Sequence, residues 1–259
     1  MLRALDQVLR GESTNLATLR QGRFEVPLGA LTVAIIVLGL IAGMGMGSYA
    51  LLRPAARSIA QFFASALKVP LLFILTVLVT FPSLYVFNAL VGSRLPLLAI
   101  VRLIVACLAV TLAVLASFAP VVAFFAASTT SYHFMVLLNV ALCAVAGFLG
   151  LSFLLRTLHR LTIAAESPLP LATAIEVPPP IPPAATSGAL DRAEMPAPGA
   201  NVRAVFRWWI ILFALVGSQM GWVLRPFIGH PHVAFSFFRP RGSNFFEGVF
   251  NALRHLMGW

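Results

Sequence analysis

The chain has 259 residues, of which 60% are apolar and only 10% charged, with a mean hydropathy of +0.95. A soluble domain of this length needs more charge to cover its surface. Repeated apolar runs of about 20 residues, enough to cross roughly 30 Å of hydrocarbon, instead place the chain among integral membrane proteins. The formal charge is +10 and every basic residue except Lys68 and the histidines is arginine; most of these arginines flank apolar runs, so lipid headgroups account for them and nucleic acid is not expected as a partner.

Residues 1–26 carry four arginines together with Asp6, Glu12 and Glu25 and have no apolar core of signal-peptide length. Leu2, Leu5, Val8 and Leu9 share one helical face, opposite Arg3, Asp6, Gln7 and Arg10, which predicts an amphipathic cytoplasmic segment. Residues 27–160 are expected to form a four-helix transmembrane bundle. Its first span, 27–52, places Gly39, Gly43 and Gly47 at four-residue spacing, a groove that lets another helix approach closely, from this chain or from a second copy. Residues near 54–68 read as an in-plane elbow ending at Lys68-Val69-Pro70. Span two, 69–91, contains Pro82, whose freed backbone groups Thr80 or Ser83 are placed to satisfy. Span three, 97–127, carries a small-residue seam that includes Ala106 and Ala113 and is expected to bend at Ser117-Phe118-Ala119-Pro120. Span four, 134–155, contains Asn139.

Residues 161–203 are a different polymer, Pro-rich and without helical or strand periodicity, and read as a disordered spacer. A fifth transmembrane helix is expected over 204–229, with Gln219 inside its apolar run and Arg225 near its end. Residues 230–259 form a Phe-rich interfacial segment. In it Asn244 and Glu247 have capping-box spacing, with Ser243 as an alternative cap, ahead of an amphipathic helix. The fold class is therefore all-α and polytopic, with five transmembrane helices plus amphipathic surface helices at both termini and after span one. With the N-terminus cytoplasmic, eleven basic residues fall inside and seven outside, while Glu247 is the only acid outside. The charge rule thus favours the N-terminus in and the C-terminus out, with a positive outer face suited to anionic headgroups.

The chemistry is sparse. No Asp or Glu occurs between Glu25 and Glu166 or in the fifth span, which argues against a proton- or sodium-coupled pump. The candidate polar or headgroup contacts are Lys68, Asn88, Asn139, Gln219 and Arg225; Asn88 and Asn139 are expected to make interhelical hydrogen bonds worth ~0.6 kcal/mol each. Cys107 and Cys143 read as small hydrophobes, and His230 with His232 is too small a set for a metal. Gly217-Ser218-Gln219 is not a nucleophile elbow, and no phosphate-binding loop or dinucleotide fingerprint occurs. No catalytic residue, cofactor or metal is expected.

The segments KVPLLF (68–73), FPSLYVFN (81–88), SFAP (117–120), LLNV (137–140) and GSQMGWVLRPFIG (217–229) resemble an uncharacterised family of bacterial multi-pass membrane proteins. Its members sometimes carry an automatic label as actin-binding Wasp-homology proteins, although this chain has no soluble amphipathic helix followed by a basic LKKT-like stretch. The layout is also similar to Yip-type membrane proteins, with a cytoplasmic N-terminal segment, five spans and a short far-side C-terminus. The resemblance implies membrane organisation rather than catalysis. The expectation is a non-enzymatic scaffold or accessory subunit of the bacterial inner membrane that assembles with itself or a protein partner. The alternative is a carrier or channel for a small or anionic solute.

Overall fold

The structure, a computed structural model, describes residues 2–10, 27–52, 58–90, 97–166, 198–230, 233, 235–239 and 242–258. Among them are eight helices and no strand: α1 (Leu2–Leu9), α2 (Leu28–Leu52), α3 (Ile59–Leu90), α4 (Leu97–Ser117), α5 (Ala119–Ser128), α6 (Tyr132–Glu166), α7 (Pro198–Val223) and α8 (Phe245–Leu256). Four segments are long and apolar enough to cross a membrane: Leu28–Leu52, Ile59–Val86, Ile100–Ser128 and Tyr132–Arg160. The chain has the character of a membrane protein.

The five long helices close a ring in the order α2, α3, α7, α6, α4, each packing on the next. Its tightest seam joins α2 to α3. A methyl group on Gly43 would stand 2.4 Å from the Ser65 carbonyl oxygen and 2.6 Å from the Ala66 Cα. On Gly47 it would meet the Phe62 backbone at 3.1 Å, and on Gly39 the Pro70 ring at 2.8 Å. The three-glycine groove is therefore filled from within the chain, by α3. Two further close approaches were not legible as part of that stripe: Gly45 faces Ala119 of α5, and Gly150 of α6 faces Thr111 and Cys107 of α4. Ala106 is buried in the core and Ala113 packs partly buried against it.

Four expectations need correction. Residues 59–68 are not a separate in-plane elbow, because α3 runs unbroken through Pro70 and Pro82; residues 53–57 lie outside the described set. The helix continues through Pro70, whose ring packs directly on Gly39 of α2. At Pro82 neither hydroxyl bonds the freed carbonyl of Leu78: Ser83 Oγ donates to Thr80 O and Thr80 Oγ1 to Thr76 O. The helix expected over 204–229 is displaced, running from Pro198 to Val223. Pro226 has no amide hydrogen and disfavours helical geometry at Arg225, so the helix stops before it. Helix also reaches into both ends of the Pro-rich stretch, through Glu166 and from Pro198, while 167–197 lie outside the described residues, as do 11–26 of the N-terminal segment.

Two local signals read as expected. The helix breaks at Phe118, with Pro120 in the first turn of α5. Asn244 caps α8 by accepting the Glu247 backbone N–H at 2.9 Å. At one end of the ring α1 buries Ala4, Leu5 and Val8 against α2 and α4 and leaves Arg3, Asp6 and Gln7 exposed.

The seam makes a test with an internal control. Gly43→Ala should lower the melting temperature in mild detergent, costing about 1–3 kcal/mol by overpacking, because the obstructing atoms are backbone. Gly29→Ala, where nothing lies within 4 Å of the added methyl, should leave the melt unchanged or raise it slightly.

Candidate functional site

The polar chemistry collects at the end of the ring opposite α1, where α2 ends, α3 begins and the chain after α7 folds back. Gln61, Ser65 and Lys68 lie three and four residues apart on α3, so they share a face. All three are buried, and all three serve backbone carbonyls of the returning segment. Gln61 Nε2 donates to Pro226 O at 3.0 Å, Ser65 Oγ donates to Phe227 O at 2.5 Å, and Lys68 Nζ donates to Pro226 O at 3.2 Å and to Phe237 O. Irregular backbone at membrane depth leaves carbonyls with no water to bond, and side-chain donors are what make it tolerable. Gly229 completes the dock, since a methyl group there would meet Ala50 at 2.8 Å.

Lys68 is fully buried (0% exposed) nine residues into α3, about 13 Å along its axis. Besides the two carbonyls, its ammonium lies 4.5 Å from the Phe237 ring centre and 5.6 Å from that of Phe238. These contacts stand in for water around a charge that would be costly to bury alone.

Two more cations converge here. The Arg225 guanidinium lies 3.7 Å over the Trp222 ring, and Trp222 donates from Nε1 to Ser243 O, at the start of the cap of α8. A methyl on Gly248 of α8 would strike that same indole at 2.2 Å. Arg239 is near enough to repel both Lys68 and Arg225, and it interacts with the Tyr132 hydroxyl. Desolvation first, and then the Arg239 charge, lower the Arg225 pKa from its ordinary value, while Tyr132 opposes the shift. Around this group stand Tyr132 edge-on to His230 at 4.7 Å and His133 stacked on His255 of α8 at 4.8 Å.

Of the residues singled out from sequence, Lys68 and Arg225 come together in this cluster. Gln219 does not; it sits on α7 beside a shallow groove with Leu215, Val216, Met220 and Val223. Asn139 corrects the expectation of an interhelical bond: its Nδ2 donates one turn back to Met135 O at 2.8 Å, and its buried Oδ1 has no hydrogen-bond partner among the described residues. A short amide reaches the preceding turn of its own helix more readily than a neighbour. Asn88 lies on α3 but its side chain is outside the described set, and His232 is outside it altogether. Sequence reasoning missed Gln61, Ser65, Tyr132 and Arg239. For the first two the signal was there, as a polar i, i+4, i+7 row with Lys68 on an otherwise apolar helix.

The middle of the ring holds no comparable chemistry. Trp209 (2% exposed) is buried where α7 meets α3, α4 and α6, donating from Nε1 to Thr80 O at 3.2 Å. The cavity lined by Ile104, Cys107, Leu108, Leu151, Leu154, Trp209 and Phe213 measures about 10 Å³. That is at the lower limit for one water molecule. Among the described residues no cluster of three or more potential metal ligands occurs.

No family model, curated protein or solved structure matched the chain.

Lys68→Met keeps the stem and removes the charge and its donors. The variant should lose about 1–3 kcal/mol, because Phe237 O loses its lysine donor while Pro226 O keeps Gln61 Nε2, and limited proteolysis between residues 230 and 242 should accelerate. An unchanged digestion rate would mean that Lys68 does not hold the returning segment.

Proposed function

We propose that the chain is a non-enzymatic scaffold or accessory subunit of the bacterial inner membrane, built on five spans, with α7 as the fifth. Its N-terminus lies in the cytoplasm and its C-terminus outside. The observation that carries this reading is the plugged ring. Trp209 is buried where α7 meets α3, α4 and α6, the cavity it lines there measures about 10 Å³, and the α2–α3 seam brings backbone against backbone at Gly43 and Gly47. Such a body is suited to presenting fixed surfaces rather than to cycling between open states. The exposed residues of α8, among them Phe246, Phe250, Leu253 and Met257, support a helix lying in the interfacial zone, where aromatic side chains are favoured. At the other end α1 instead caps the bundle, with its apolar face buried against α2 and α4 and its polar face outward. The family likeness and Yip-type layout read from the sequence fit this proposal, with a second copy or another membrane protein as partner.

The alternative is a carrier for a small anionic solute, and the cluster of Lys68, Arg225 and Arg239 is the observation in its favour. It requires Trp209 to leave the ring.

Crosslinking in native membranes followed by mild-detergent purification separates the two readings. The scaffold reading expects a stable homo-oligomer or a stoichiometric partner and no anion flux in liposomes. A clean monomer whose flux is lost in Arg225→Leu supports the carrier. Orientation is checked independently: a C-terminal alkaline phosphatase fusion should be active and a C-terminal green fluorescent fusion dark.

A further inference from the structure

We infer that Arg225 and Arg239, with the Tyr132 hydroxyl beside them, form a binding site for a phosphate group, and that Lys68 is the positioning residue that holds it in place. The proposal rests on the reading that this end of the bundle lies at the outer headgroup level.

The three cations come from three separate segments, α3, the turn after α7 and the loop ahead of α8, and the fold drives them together against their mutual repulsion. The described carboxylates do not account for this. Asp6 pairs with Arg10 at the far end, and Glu166 lies 34 residues along α6 from Tyr132. Glu247 is exposed in the first turn of α8 and forms no ion pair with a described residue. The Arg239 Nε is buried and has no hydrogen-bond partner among the described residues.

The two guanidinium groups are also held in place. The Arg225 guanidinium stands over the Trp222 ring, which is itself pinned by Ser243 and Gly248. Arg239 follows Phe237 and Phe238, whose position Lys68 fixes through the Phe237 carbonyl and both rings. Paired planar donors beside a hydroxyl suit the tetrahedral oxygens of phosphate, and an anion between them relieves the repulsion. Exposed Phe235, Phe237 and Phe238 nearby suit the depth of a phospholipid headgroup, which makes a lipid the expected carrier of the phosphate over a soluble ester.

The test uses the purified full-length protein in neutral detergent, with phosphatidylglycerol, phosphatidylcholine and glycerol 3-phosphate as separate probes. Thermal shift and native mass spectrometry give the readouts. Phosphatidylglycerol should raise the melting temperature by several degrees at concentrations where phosphatidylcholine does not. Arg239→Gln and Arg225→Gln should each weaken it about tenfold, the loss of one charge-assisted hydrogen bond. Arg239→Lys should weaken it less, and Arg254→Gln, on the exposed side of α8, should not change it. Ligand-free melts identify any variant that does not fold, in which case the remaining Arg225 or Arg239 variant carries the comparison. Equal response to glycerol 3-phosphate keeps the phosphate site and assigns it to a soluble ester. No response to any probe, or equal loss in Arg254→Gln, overturns the site. Because these measurements need no partner, failure here with self-association intact removes the site and leaves the scaffold reading standing.

Discussion

Three glycines one turn apart on α2 set how close α3 can come, and much of the molecule follows from that distance. Between helices in lipid there is no water to expel, so attraction rests on the number of atom pairs at contact distance. Removing three side chains lets α3 close on the α2 backbone over about two turns. The same seam fixes the rotation of α3. Ser65, pressed against Gly43 and Gly47 on one side, bonds Phe227 O on the other, so the packing interface and the polar anchor share a residue.

The anchor explains how irregular chain is held beside apolar helices. After Pro226 ends the helical run, its carbonyls need donors, and Gln61, Ser65 and Lys68 supply them. A lysine is the expensive choice for this task, since its charge must be kept out of water. Two carbonyls and two aromatic rings surround it, an arrangement that solvates the ammonium without a carboxylate. Arg239 lies close enough to repel Lys68 and, separately, Arg225, so the segment that Lys68 anchors also carries positive charge toward both.

Where α7 meets α3, α4 and α6 the solution is the opposite. Trp209 occupies the space with a large apolar body and spends its one polar hydrogen on Thr80 O, a carbonyl in the disturbed turn before Pro82. Its neighbour Trp208 points outward and is exposed. Two adjacent tryptophans thus serve different environments, one buried in the bundle and one on its exposed surface.

The sequence by itself determined the membrane class, the four long apolar spans, the break at Phe118, the Asn244 cap and the glycine face of α2, because each depends on composition or on residues within a turn or two of one another. Lys68 and Arg225 were legible as unusual charges next to apolar runs, without any sign that they meet. Only the tertiary structure decided that α3 is one helix, that it is α3 which fills the glycine groove, that Asn139 turns back on its own helix, and that Tyr132 and Arg239 join the two cations. The reason is physical: residues separated by well over one hundred positions, such as Lys68 and Phe237, leave no periodicity to read. Nor did the sequence show that the helix continues through Pro70, whose ring packs on Gly39 of α2.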